Sequence, residues 1–231
     1  MTHPRDILVW DVPTRIFHWL LAASFAAAYA IGESESWRGL HLLLGYTAGG
    51  LVAFRLLWGL IGTRYARFSS LPLHPQAVIR YLRSLRSGSP EHHAGHNPAG
   101  SWAILAILSL VSAIVVTGWA VYAKVGPKWL EDVHGALSNV AVALVVVHVA
   151  AVFISSRLHR ENLVRAMVTG FKRGASWDVP AEASWPVGVL LMGAVTALWT
   201  GLIPLAVEST AATDTPPAAA SGFGTERKQD D

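Results

Sequence analysis

The stretch VHGALSNVAVALVVVHVAAVFI, Val133 to Ile154, decides how this chain folds. It carries no charged residue, and its two histidines, His134 and His148, stand fourteen positions apart. On an α-helix each residue turns about 100°, so fourteen steps return to within about 40° of the starting face and rise about 21 Å. That rise is most of the way across a hydrocarbon core of about 30 Å. One apolar helix would then present two imidazoles on one face, one towards each membrane surface. This geometry suits two metal centres stacked across a bilayer.

Composition agrees. Of 231 residues, 52% are hydrophobic and 14% charged, and the mean hydropathy is +0.40, values that point to a membrane protein. Ten tryptophans suit aromatic belts at the two interfaces. A net charge of +3 gives no footing for nucleic acid. The chain has no cysteine, which excludes disulfides, thiolate-held iron–sulfur clusters and covalent c-type haem. Any haem would be b-type.

Outward from 133–154, the apolar pattern predicts an all-α integral membrane bundle of five spans: 16–31, 40–61, 101–123, 133–154 and 185–207. The first four form one domain, 1–180, which would clamp two haems; the fifth helix occupies 181–208, and the Ala-, Thr- and Pro-rich tail 209–231 is predicted to be disordered. Gly32, Gly62, Pro98, Gly126-Pro127 and Pro186 punctuate the span ends. A signal-peptide reading of 16–30 is disfavoured by the long preceding segment with Asp6, Trp10 and Asp11. Residues 75–87 read as an amphipathic surface helix, with Val78, Tyr81, Leu82 and Leu85 on one side and Arg80, Arg83 and Arg86 on another.

Charge sets the predicted orientation. With the N-terminus inside, thirteen Lys and Arg residues fall on inner segments or near the inner end of span two, and only Arg38, Lys124, Lys128, Arg227 and Lys228 fall outside. By the positive-inside rule the N-terminus is cytoplasmic and, after five crossings, the C-terminus periplasmic, in a bacterial inner membrane.

Depth then pairs the histidines. Span one enters from inside, which puts His18 low; span two enters from outside, which puts His41 high; span four puts His134 high and His148 low. The expected pairs are His18 with His148 and His41 with His134, two bis-histidine sites. Intramembrane ionisable side chains are costly and mark function. Gly45, Gly49, Gly50 and Gly135 leave room for a flat macrocycle or for close helix packing. Arg15, three residues from His18, and Arg55, fourteen from His41, are candidates to hold a propionate of the inner haem; snorkelling to the headgroups is the alternative for Arg55. The segment His159-Arg160-Glu161-Asn162 offers groups able to protonate and hydrogen-bond a quinone head, or is a polar helix end. His92, His93 and His96 form a loop that is expected to be solvated, with metal binding as the alternative.

Several stretches resemble the bacterial cytochrome b561 superfamily, in its branch of hydrogenase-type cytochrome b subunits. They are Val9-Trp10-Asp11-Val12-Pro13-Thr14-Arg15-Ile16-Phe17-His18-Trp19, Leu40-His41-Leu42-Leu43-Leu44-Gly45-Tyr46 and Phe54-Arg55-Leu56-Leu57-Trp58-Gly59. Gly95-His96-Asn97-Pro98, His134 with His148, and His159-Arg160-Glu161-Asn162-Leu163 complete the likeness. The resemblance implies two haems b on His18, His41, His134 and His148. It also implies electron transfer between a periplasmic partner, a cytochrome c or a dehydrogenase or hydrogenase subunit, and membrane quinone. Bis-imidazole ligation would leave the iron no open position, which makes electron transfer the expected job. A stand-alone superoxide:quinone oxidoreductase is the alternative and would need a basic outer surface. A haem-free metal permease would need carboxylates within the spans, which hold none.

Overall fold

Four helices have the length and apolarity to cross a membrane, at Val12–Ile31, Glu35–Ile61, Pro98–Tyr122 and Trp129–Leu158, in a computed structural model that describes residues 5–87, 91–175 and 178–203. They contain α1 (Val12–Ile31), α2 (Arg38–Ile61, preceded by a 3-10 turn), α4 (Pro98–Tyr122) and α5 (Trp129–Leu158). Between α2 and α4 lies the basic helix α3 (Pro75–Arg86); after α5 come α6 (Leu163–Thr169) and α7 (Trp185–Trp199).

Local chemistry starts two of the spans. Asp11 caps α1 by accepting the Thr14 N–H at 2.8 Å, and Asn97 caps α4 by accepting the Gly100 N–H at 2.7 Å. A proline follows each cap in the first turn, where its missing N–H costs nothing. Asp11 does more than cap. Its second carboxylate oxygen accepts from Trp58 Nε1 at 3.0 Å and from the Thr63 hydroxyl, so one buried carboxylate ties the start of α1 to the end of α2.

The packing order is α1 on α2, α2 on α4, α4 on α5, with α7 against α1. Phe17 and Leu21 of α1 meet Ala48, Leu51 and Val52 of α2, Leu108 and Val111 of α4, and Leu191 of α7. Trp199 of α7 also donates to the Thr47 hydroxyl at 3.0 Å. By contrast α5, thirty residues long, buries only Ala141. Leu57, Leu60, Ile61, Val116, Val146, Val147, Phe153 and Ile154 all face outwards. So extensive an apolar exterior belongs in lipid rather than water. The chain is a multi-pass membrane protein.

One feature departs from an all-helical reading. Arg5–Leu8 (β1) and Phe171–Gly174 (β2) pair as a two-stranded antiparallel ribbon, Arg5 opposite Gly174 and Leu8 opposite Phe171. The ribbon buries Ile7 and Val9 and brings the N-terminus beside α6. Gly170, at φ +91°, closes α6 and accepts the N–H groups of Val9 and Trp10; a Cβ there would meet the Trp10 carbonyl at 2.7 Å, so only glycine fits. In the surface helix, Ala77 and Tyr81 face inwards, whereas Leu82, expected on the same side as Tyr81, is about half exposed. The fifth apolar segment forms a helix of 15 residues, about 22 Å long. Its predicted continuation to 207, and the tail 209–231, lie outside the described residues.

Replacing Asp11 with alanine removes a cap and leaves Trp58 and Thr63 without their acceptor, a loss expected to cost about 2–4 kcal/mol. Thermal unfolding of the purified D11A variant in detergent should show a lower Tm. An unchanged Tm would mean that the carboxylate does not hold α1 to α2.

Candidate functional site

The alternation of the spans puts the starts of α1 and α4 together with the ends of α2 and α5. One end of the bundle gathers Arg55, Arg64, Arg67, α3 and α6 and is strongly basic; the other is not.

At the far end His41 of α2 faces His134 of α5. Their ring centroids are 6.2 Å apart and their planes are inclined at 76°. Each ring is held from behind. Nδ1 of His41 lies 3.0 Å from the Ala28 carbonyl of α1, and Nδ1 of His134 lies 3.1 Å from the Ile114 carbonyl of α4, with the Thr117 hydroxyl at 3.3 Å. A carbonyl can only accept, so Nδ1 carries the proton and Nε2 keeps its lone pair. Metal-ligating histidines are oriented by such a bond. Two metal–imidazole bonds of about 2 Å each, with the ring radii added, require about 6 Å between ring centres. The pair therefore fits one metal ion held between two imidazoles. Gly118 of α4 makes the room: a Cβ there would meet His134 Cε1 at 2.8 Å. On the His41 face, a Cβ at Gly45 would meet nothing within 4 Å, which leaves space for a flat group, whereas one at Gly49 would press on Val115 at 3.0 Å.

At the basic end His18 of α1 lies within electrostatic reach of His148 of α5. Nδ1 of His18 is buried with no hydrogen-bond partner, and its ring stands edge-on to Trp19 at 5.0 Å. Arg55 is 4% exposed, deep for a guanidinium. It lies 4.8 Å over the Phe68 ring, and its Nη1 has no partner. A buried, unpaired cation of this kind fits an anionic substituent on a ligand held by His18 and His148. Arg15 is used differently: its Nη1 donates to the Val168 carbonyl at 2.7 Å, and Trp19 Nε1 donates to Met167, so both tie α1 to α6.

The histidine loop is packed rather than solvated, and its three rings diverge. His92 pairs with Asp178 at 3.0 Å, His93 lies against Tyr81, and His96 lies against Trp10 at 4.5 Å. Lys172 of β2 pins this loop by donating to the carbonyls of His93, Ala94 and Gly95. Burial, reinforced by Arg55, Lys172 and His148, pushes His96 down to about 3, so it stays neutral at any physiological pH. Among the described residues no group of three or more His, Cys, Asp or Glu side chains is placed to hold a metal ion.

Of the four residues expected near a quinone, three line a cleft of about 290 Å³ together with Phe153, Ser156, Arg157 and Val164: Arg160, Glu161 and Asn162. Glu161 also accepts the Arg173 N–H, and Asn162 caps α6. His159 turns away from this cleft and stacks on Tyr81. A larger cleft of about 570 Å³, between 62–70 and 179–182, meets none of the histidines.

Sequence reading passed over Gly118 and the carbonyls of Ala28 and Ile114. Gly118 had a visible signal, as the one glycine in the span 101–123; the carbonyls had none, because every residue carries one.

Residues 9–170 match the prokaryotic cytochrome b561 family. A probable Ni/Fe-hydrogenase B-type cytochrome subunit of Cupriavidus necator is 26% identical over 211 residues, covering 71% of this chain and 86% of that protein. Proteins with the same description from Azotobacter vinelandii and Bradyrhizobium diazoefficiens are 25% and 22% identical, covering 72% and 71% of this chain and 88% and 85% of theirs. No solved structure matches the chain. A match that runs from the residue after β1 to the glycine closing α6, through all four paired histidines, makes this chain a member of the prokaryotic cytochrome b561 family.

Proposed function

We propose that this protein carries electrons across a bacterial cytoplasmic membrane between a periplasmic redox partner and the quinone pool, using two haems b. The observation that carries the reading is the His41–His134 pair, whose ring separation and carbonyl-bound Nδ1 atoms suit a metal held from both sides. His41 and His134 would hold one haem, His18 and His148 the other, with Arg55 rather than the already engaged Arg15 facing a propionate. Bound there, haem b supplies a one-electron couple. The chain's own residues would supply the rest: the four imidazoles would hold the two groups, and the apolar helices around them would exclude water.

The partner is proposed from the relatives, which are described as hydrogenase cytochrome subunits; a periplasmic cytochrome c or another dehydrogenase would meet the same end of the bundle. The basic end is assigned to the cytoplasm by its excess of Lys and Arg. With its apolar sequence counted to 207, α7 reaches the length of a fifth span and would put the C-terminus in the periplasm. Quinone is assigned to the cleft of Arg160, Glu161 and Asn162, where the polar end of α5 meets the membrane interface. His159 stands behind that cleft.

Two measurements test this. The dithionite-reduced minus oxidised spectrum, with haem counted by pyridine haemochrome, should give two haems b per chain, and His18→Ala and His41→Ala should each lose one. A chain purified without haem from haem-replete cells would overturn the reading. Gly118→Val, which drives a methyl into the His134 ring, should lose the far-end haem and keep the other; full retention of both would show that His134 is not a ligand.

A further inference from the structure

Outside both histidine pairs, the basic end buries a second set of titratable rings. Tyr81 of α3 is 2% exposed. Its ring stacks on His159 at 6.2 Å with planes 19° apart, and meets His93 at 5.7 Å. The Tyr81 hydroxyl is buried without a hydrogen bond of regular geometry, although Asn97 and Ser155 adjoin it. His93 Nε2 is also buried without a hydrogen bond. Phenylalanine and an aliphatic residue would fill the same space without leaving polar atoms unpaired, and unpaired buried polar atoms cost stability.

The set connects at both ends. Towards solvent, His93 Nε2 lies 3.7 Å from one Glu91 oxygen, and the other pairs with exposed Arg80 at 3.0 Å. Towards the membrane, His159 Nδ1 donates to the Ser155 carbonyl at 2.9 Å with Ser155 Oγ 3.2 Å away, and the next residue, Ser156, lines the cleft of Arg160, Glu161 and Asn162. We infer that Glu91, His93, Tyr81 and Ser155, with His159 packed behind them, form a proton route between the cytoplasm and a quinone in that cleft, which it meets beside Ser156. The inference rests on the quinone assignment above.

The chemistry balances on the quinone. Reduction to the quinol takes two electrons, delivered across the chain from the periplasmic donor, and two protons, which form the two new O–H bonds. Quinol oxidation releases the same protons along the same route. The resting charge state suits a relay. Burial pushes the Tyr81 hydroxyl up and His93 down; Glu91 opposes the shift of His93, whereas His92, Lys172 and His159 add to it. Both rings are then neutral near pH 7. Tyr81 has a proton to give and lone pairs to accept, and His93 has one nitrogen of each kind.

The test uses the full-length, haem-loaded protein, pre-reduced with limiting dithionite and mixed with excess decylubiquinone in weakly buffered medium. Haem reoxidation and proton uptake by a pH-indicator dye are followed together. Tyr81→Phe, His93→Gln and Glu91→Gln should slow both by about a hundredfold, the lower range expected when a proton-transfer group is lost. Reoxidation by ferricyanide, which takes electrons and no protons, should be unaltered, and added imidazole should partly restore His93→Gln. Haem content reports folding, and Glu91 and His93 lie in the loop, so their variants stand if Tyr81→Phe fails to assemble. Variants that keep the parent's quinone rate and proton uptake would overturn the relay. So would equal slowing with quinone and ferricyanide, which would mark a structural role. A parent protein that reacts with ferricyanide but not with decylubiquinone would overturn the quinone assignment itself, and the relay with it.

Discussion

The hydrogen bonds from His41 to the Ala28 carbonyl and from His134 to the Ile114 carbonyl are the constraint on which the bundle depends. An imidazole inside a membrane is expensive unless each nitrogen has a use. Here one nitrogen is spent on a neighbouring helix, α1 for the ring of α2 and α4 for the ring of α5. The bonds lock the rings and at the same time register two helix pairs along the membrane normal. The far-end pair is thus preorganised by the same contacts that join the helices. Gly118 belongs to this device, because any side chain there would displace the ring from its carbonyl.

The basic end is registered by different means. Asp11 binds three donors from two helices, and Lys172 binds three carbonyls of one loop. Arg15 and Trp19 reach the last carbonyls of α6. Together with the β1–β2 ribbon these contacts build a polar cap on the ends of the spans, where backbone leaves helical geometry and needs partners that lipid cannot supply. The N-terminal segment is therefore part of the membrane domain, clamped between α6 and the histidine loop.

What the sequence disclosed follows from which signals have range. The fourteen-position spacing of His134 and His148 in an uncharged stretch specifies depth and face at once, and alternation of the spans then pairs His41 with His134; the structure brings that pair to 6.2 Å. Pro98 likewise marks the start of α4, which opens on it three residues before the expected position 101. The ribbon was not legible, because four-residue strands leave too short a pattern, and its partners lie more than 160 positions apart. The same limit hid the inward turn of His93 and His96. A loop with three histidines and a glutamate reads as polar, and only Tyr81, Trp10 and Lys172, brought from distant segments, make it an interior. For Arg15, sequence identified the face it shares with His18; the carbonyl of Val168, 153 positions away, decides how the guanidinium is spent.

The two ends also differ in what they leave unpaired. Among the described residues six buried side-chain polar atoms lack a hydrogen bond, on Thr14, Arg15, His18, Arg55, Tyr81 and His93. All six lie at the basic end. Each unpaired atom carries a desolvation cost, and folded proteins keep such atoms few. At the far end, by contrast, His41 and His134 each place Nδ1 on a backbone carbonyl. Unpaired donors and acceptors persist where a ligand, a moving proton or a changing charge uses them. His18 belongs to the proposed pair with His148, whereas Tyr81 and His93 lie between Glu91 and His159. The polar imbalance thus sets the basic end apart as the place where the proposed proton chemistry would have groups to use.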